Sequence, residues 1–283
     1  MKTKRWVIAA PDWARVHALS REGGYAPLTA AVLAARGLDT PQAAAAYLSC
    51  DRSGLHDPLL LTDMDKAAAV IRGAVERGEH IVVYGDYDVD GVTATCILVD
   101  YLRSRGAVCE YYIPNRLREG YGLSREAMEN LYKRGTRLLI TVDSGITADE
   151  EIAVARELGM QVVITDHHEC HDTLPEADAV VDYKRPDCAY PFDSLAGVGV
   201  AFKLICALEG DADAVLDRYA DLIALGTVAD VMPIVGENRI IVAEGLKKMA
   251  STSNIGLEML LREAGMKHKR LTSSTISFVL APR

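Results

Sequence analysis

Between residues 80 and 183, short apolar runs alternate with longer stretches in which apolar positions recur every three or four residues. The runs at 81–84, 108–113, 138–142, 161–165 and 179–182 have the length and β-branched content of buried strands. The stretches at 92–105, 124–134 and 149–158 carry the helical period. Strand and helix in alternation predict an α/β fold, a mostly parallel β-sheet with helices on both faces. Upstream, LTAAVLAARGLDTPQAAAAYL holds two helical patches split by Gly37 and a cap-like Asp39-Thr40-Pro41, and a further helix begins near Asp63. Downstream, helical patterns open at 197 and recur at 237–249 and 254–264. The expected organisation is a helical N-terminal segment over 1–62, the α/β domain over 63–235 and a helical extension over 236–283.

In parallel sheets, ligands bind outside the carboxyl ends of the strands. After the first strand comes GDYDVDG, with Asp86, Asp88 and Asp90 at every second position. Three carboxylates on a tight turn repel one another and resist desolvation, so a cation belongs among them. The plainer alternative is a solvated acidic turn capping the next helix. After the third strand comes Asp143-Ser144-Gly145, and after the fourth Asp166-His167-His168. Three strands delivering acids or imidazoles to one sheet edge indicate a built site.

Asp230 stands alone among Val228, Ala229, Val231 and Met232, either as a helix cap or as a further ligand. Gly197 and Gly199 open a helix, offering N–H groups to an anion or allowing close helix packing. A donor set of oxygen and imidazole without thiolate suits Mn²⁺ or Mg²⁺ better than structural zinc. Bridging carboxylates could hold two ions about 3.5–4 Å apart, the arrangement that clamps an in-line displacement at phosphorus. The adjacent histidines can then divide the work, one ligating and the other facing the phosphate.

Composition changes this picture little. The chain has 283 residues, 49% apolar and 25% charged, and no apolar run approaches the roughly 20 residues of a membrane span. The short apolar patch near the N-terminus is followed by Trp13, Arg15 and His17, which argues against a secretory signal and for a cytoplasmic protein. Six cysteines without a CxxC pair read as reduced thiols. The net charge of −9 argues against a general nucleic-acid binder. Acids gathered around a metal are offset, however, and from Arg262 to Arg283 five Lys/Arg face one acid, Glu263. The residues alone therefore support a metal-dependent phosphoesterase or phosphotransferase and leave the substrate open.

With GDYDVDG, TVDSG and TDHH in this order, the chain resembles the DHH phosphoesterase superfamily, and within it the RecJ-type single-strand-specific DNA exonucleases. HDPLLLTDMDKA, IPNRLREGYGL, LAGVGVAFKL, LGTVADVMPIVGENR and ISFVLAPR extend the likeness over nearly the whole chain. The resemblance implies hydrolysis of single-stranded DNA from the 5′ end to mononucleotides, with two Mn²⁺ or Mg²⁺ ions, in recombination and repair. Single-strand-binding protein and a helicase are the partners it suggests. It implies Asp88, Asp90, Asp143, His167 and Asp230 as metal ligands, with Asp143 bridging. Catalytic roles fall to His168, facing the scissile phosphate, and to Asp86, an acid beside the metals. Arg116, Tyr121, Gly197 and Gly199 match segments that line the nucleic-acid side of the family's cleft.

Two departures stand out. The family continues past ISFVLAPR into a further domain and an oligonucleotide-binding barrel, so an N-terminal catalytic portion, active only weakly, is expected here. Asp182-Tyr183 replaces the family's usual Asn-Pro, and Asp182 is expected to start a turn. Small-molecule relatives acting on pyrophosphate, cyclic dinucleotides or short oligonucleotides place a His where Tyr84 stands, which favours the exonuclease type. A non-catalytic scaffold is the remaining alternative, and the intact motifs count against it.

Overall fold

The computed structural model describes residues 11–120 and 122–283; the N-terminal apolar patch and Tyr121 lie outside the described residues. The chain divides into two compact units, one ending at Gly54 and one running from Leu55 to Arg283. The smaller contains α1 (Trp13–Glu22), α2 (Pro27–Ala35) and α3 (Pro41–Ser49) around a core of Val16, Leu19, Ala30, Leu33 and Ala44. Its helices start where local chemistry dictates. The Asp12 side chain accepts from Ala14 N at 2.9 Å and that of Thr40 from Ala43 N at 3.1 Å, while Pro27 and Pro41 occupy first-turn positions.

The larger unit opens with α4 (Met64–Glu76), β1 (His80–Gly85), α5 (Val89–Ser104), β2 (Val108–Tyr112), α6 (Arg125–Lys133) and β3 (Leu138–Val142). It continues through α7 (Asp149–Glu157), β4 (Gln161–Thr165), β5 (Ala179–Val181), α8 (Gly197–Glu209) and α9 (Ala212–Ala229). It closes with α10 (Gly236–Met249), α11 (Ile255–Glu263) and a short helical turn ending at Leu280. The five strands are all parallel, in the order β2-β1-β3-β4-β5.

The side chains of β1, β3, β4 and β5 alternate between two cores, as the pleat requires, while the edge strand β2 is partly exposed. Ile81, Val83, Leu138, Ile140, Val163 and Val181 face a core built with α4, α5, α8 and α9. Val82, Tyr84, Leu139, Val162, Ile164 and Val180 face a second core completed by Met128 and Leu131 of α6 and Ile152 of α7. Because both faces are covered, the strands read in sequence as continuous apolar runs.

One expectation is corrected. The helix after β1 begins at Val89, not at 92, because the Asp88 side chain caps it by accepting Gly91 N at 2.9 Å. Asp90 therefore lies in the first helical turn, not on a turn preceding the helix.

A buried ion pair ties α8 to α10. Lys203, on α8, pairs with Glu237, in the first turn of α10, and both are almost fully buried. Lys203 Nζ also donates to His56 O at 2.8 Å, and Glu237 accepts from His56 N at 2.8 Å and Tyr190 OH at 2.6 Å. This network satisfies both charges, the condition under which such burial is tolerated.

Candidate metal centre

The strand order reverses direction between β1 and β3, the point at which loops leave the sheet on opposite sides and open a crevice. Gly85 pairs with Val142, and Val142 with Thr165, so the residues that follow, Asp86, Asp143 and Asp166, emerge side by side. Backbone bonds from Asp143 N to Thr165 O and from Asp166 N to Val181 O, both 3.1 Å, carry the ladder one residue further. Asp143 then adopts φ +57°, a left-handed conformation uncommon outside glycine, and is buried. Strain of this kind concentrates at functional sites.

The buried His167 is the hub of the cluster. Its Nε2 lies 3.0 Å from Asp143 Oδ1, 3.7 Å from Asp90 Oδ2 and 3.8 Å from Asp230 Oδ2. Among the described residues, three sets of side chains bring ligand atoms within 4.8 Å of one another: Asp90, His167 and Asp230; Asp86, Asp88 and Asp143; and Asp143, His167 and His168. The acids of GDYDVDG therefore do not act as one cluster. Asp86 and Asp88 look toward Asp143, while Asp90 looks toward His167 and Asp230.

Asp230 sits at the C-terminal end of α9, where the helix dipole disfavours a carboxylate. It is indeed the C-cap residue of α9, its backbone N donating to Gly226 O at 2.9 Å, so the capping position explains the backbone while its carboxylate is left facing His167. Asp86 is buried and, among the described residues, accepts only from Tyr87 N, its own neighbour, at 2.7 Å. The glycines differ from expectation. Gly197 N and Val198 N donate to the two oxygens of Asp90 at 2.6 and 2.8 Å, so the amides at the start of α8 hold a side chain of this chain and are not left for a substrate anion. A Cβ at Gly197 would fall 2.6 Å from Asp143 Oδ1, and one at Gly199 would press on Leu195 at 3.2 Å. Gly199 serves packing. Arg116 is exposed and stacks over the Tyr87 ring at 5.2 Å, which places it beside the Asp86–Asp88 turn; Tyr121 lies outside the described residues.

His168 diverges from its neighbour. Its side chain is 45% exposed, and its Nδ1 lies 2.7 Å from Asp166 Oδ1. That hydrogen bond, with the surrounding acids, raises the imidazole to about 9 against the desolvation that opposes it. Asp166 accepts in addition from Ile146 N at 3.0 Å and His167 N at 2.7 Å. Burial works against its ionisation, yet these bonds keep it below the usual carboxylate range. Asp166 was given no task by its sequence beyond membership of the triplet, although its place as the first residue after β4 marks it. Gly226 was missed altogether: a Cβ there would fall 2.9 Å from Asp90 Oδ1. Asp182 starts its turn as expected, accepting from Lys184 N at 2.7 Å, and burial pushes it up to about 7.

The remaining acids outnumber the two imidazoles that face them. Burial raises Asp143 to about 9, with Asp88 and Asp166 adding to the effect, and burial with the neighbouring Asp143 raises Asp90 well above the carboxylate range. Burial likewise raises Asp86 and Asp230. Both ring nitrogens of buried His167 lack a hydrogen-bond partner among the described residues. Converging carboxylates and a buried imidazole whose nitrogens have no hydrogen-bond partner among the described residues fit a hard divalent cation.

The model of the DHH family, N-terminal domain, matches residues 80–227. The chain belongs to the DHH family. Two curated relatives match as well. The chain is 43% identical over 279 residues to the single-stranded-DNA-specific exonuclease RecJ of Bacillus subtilis (strain 168), covering 99% of this chain and 35% of that protein. It is 38% identical over 271 residues to the RecJ of Escherichia coli (strain K12), covering 91% and 46%. The chain thus spans less than half the length of these curated relatives. Among solved structures, RecJ of Thermus thermophilus in complex with Mn²⁺ superposes with a TM-score of 0.81 at 32% identity, covering 97% of this chain and 39% of that one. Within the DHH family the triplet that supplies the name is here Asp166-His167-His168.

Proposed function

We propose that this chain is the catalytic portion of a metal-dependent exonuclease that hydrolyses single-stranded DNA from its 5′ end to mononucleotides. One observation carries the reading: five acids and two imidazoles from β1, α5, β3, β4 and α9 meet at one sheet edge, more carboxylates than the imidazoles can balance. The likeness to single-stranded-DNA-specific exonucleases, and to a RecJ structure holding Mn²⁺, supports DNA as substrate and Mn²⁺ or Mg²⁺ as cofactor.

In this reading Asp88, Asp90, Asp143, His167 and Asp230 would hold two ions, with Asp143 available to both because it belongs to the Asp86–Asp88 set and to the histidine set. Bound ions supply a Lewis acid at the phosphodiester and lower the pKa of water at the site. The chain's own residues do the rest. Asp166 fixes the His168 ring through Nδ1, which leaves Nε2 as the remaining donor on a ring protonated at neutral pH. His168 thereby meets the phosphate as a cation. Asp86 adds negative charge beside Asp88 and Asp143, and Arg116, resting on Tyr87, offers a guanidinium to the strand near the same turn.

The catalytic domain is the expected 63–235 stretch, which lies within the larger unit together with α10 and α11. The setting is cytoplasmic DNA recombination and repair, where single-strand-binding protein and a helicase present the strand. No helix among the described residues is long and apolar enough to cross a membrane.

The test is nucleotide release from DNA labelled at either end, single-stranded or duplex, with Mn²⁺ present or chelated. Metal-dependent, single-strand-selective release from the 5′ end is expected. Equal activity on duplex, or activity that survives chelation, would sink the reading.

A further inference from the structure

A second feature of the larger unit lies away from the metal centre. The loop after α11 carries Lys267, His268, Lys269 and Arg270 in succession. These residues line one side of a cavity of about 360 Å³ whose apolar lining includes Met249, Leu261, Met266 and Leu271. The loop backbone is pinned. Met266 N and Lys267 N both donate to Leu261 O, at 2.8 and 3.2 Å, Lys269 N donates to Met266 O at 3.0 Å, and His268 takes φ +65°. Lys267 pairs with Glu258 at 2.9 Å. The side chains of Lys269 and Arg270 are exposed and make no hydrogen bond or ion pair among the described residues.

Two adjacent unpaired cations are out of keeping with a chain of net charge −9. Beside a cavity lined in part by apolar side chains, whose one acid, Glu258, is already paired with Lys267, they suit a ligand that is anionic on one side and apolar on the other. An unpaired nucleotide strand has that character: its phosphates attract Lys and Arg, and its base faces are free to lie on apolar side chains. A duplex keeps those faces stacked inside.

We infer that this basic cavity is a second contact for single-stranded DNA, separate from the metal centre; the inference rests on the proposed exonuclease reading. Asp230 precedes α10 by a short turn, whereas the cavity lies at the far end of that helix, roughly 20 Å along its axis. A strand bound at both places is longer than a dinucleotide. The cavity therefore grips long substrates and leaves the shortest ones untouched.

The experiment compares the wild-type chain with Lys269→Gln/Arg270→Gln, neither of which belongs to the catalytic machinery. It measures binding of a long oligothymidylate across a salt series, cleavage of thymidine dinucleotide with Mn²⁺, and competition by polyglutamate. The expected result is about ten-fold weaker binding of the long strand by the variant, with the slope of log affinity against log salt shallower by about 1.4. Dinucleotide cleavage stays at the wild-type rate. Wild-type affinity and slope in the variant, with dinucleotide cleavage intact, overturn the second contact and leave the exonuclease reading standing. Displacement by polyglutamate through Lys269 and Arg270, with DNA binding independent of them, assigns the cavity to an acidic peptide and also overturns the inference. Absence of both DNA binding and cleavage in the wild type overturns the exonuclease reading and this inference with it.

Discussion

Asp143 shows how much a single position can carry. It leaves β3 in a left-handed conformation, lies 3.0 Å from His167 Nε2, and also belongs with Asp86 and Asp88. Without a cation its charge meets other acids with only the two imidazoles opposing them, and burial holds its carboxyl at about 9. Asp143→Asn keeps the shape and tolerates the same φ. It should abolish nuclease activity. In chelator it should melt about 2–4 °C above chelated wild type, the shift expected of ~1 kcal/mol in a domain of this size; scanning calorimetry reads it directly. A chelated variant that melts lower would show that the carboxylate is satisfied within the chain.

At this scale the sequence was legible wherever an acid or imidazole follows a strand, because the sheet edge collects such residues. It was not legible where the partner is far along the chain. Nothing near Gly226 announces that it lies against Asp90, and nothing near Gly197 announces Asp143. Asp166 looks in sequence like one more ligand, yet its hydrogen bonds from His168, His167 and Ile146 make it a support for the histidines.

Among the elements, α8 has the most demanding position. Its first two amides hold Asp90, its first residue leaves no room beside Asp143, and its middle carries the buried Lys203. Gly197→Ala should displace the Asp143 carboxylate and lower turnover about 100-fold, the usual cost of misplacing a reacting constellation by an ångström. Its Mn²⁺ affinity, followed by titration calorimetry, should fall in parallel. Lys203→Met leaves Glu237 charged, buried and without its cation. A loss of about 3–5 kcal/mol in urea denaturation is expected, and Lys203→Met/Glu237→Gln should recover part of it. Equal stability of the single variant and wild type would mean that water reaches Glu237.

Element boundaries were well marked by period and caps, as β3 and β4, found at the anticipated residues, show. The start of α5 was not, because an Asp that caps a helix and an Asp on an acidic turn have the same sequence signature until Asp88 is seen accepting from Gly91 N.

For the molecule as a whole, the two-sided sheet was written in the apolar runs, but the order β2-β1-β3-β4-β5 was not, since periodicity names elements and does not rank neighbours. Long-range ties then fix the arrangement. Asp63, ahead of α4, accepts from Lys66 at 2.6 Å and from Arg185, beyond β5, at 2.7 Å. Burial opposes its ionisation, yet the two cations prevail and hold it below the ordinary range. A carboxyl depressed on folding stabilises above its unfolded pKa of about 4, and that contribution is lost as pH falls through the folded value. Asp63→Asn, which also accepts the residue's φ of +62°, should therefore be less stable than wild type at neutral pH. The two should converge in acid when urea midpoints are followed down to about pH 3. Parallel curves would exclude this ion pair as a source of acid sensitivity.

The spacing of the metal-centre residues along the chain has a consequence for biosynthesis. Asp86 leaves the ribosome long before Asp230, and at ~5–20 residues per second the interval is on the order of ten seconds. During that time a nascent chain can pair its first strands but lacks the last carboxylate and the α8 amides that hold Asp90. The set of Asp90, His167 and Asp230 is therefore completed last, only once α9 has emerged, while the set of Asp86, Asp88 and Asp143 is synthesised well before it.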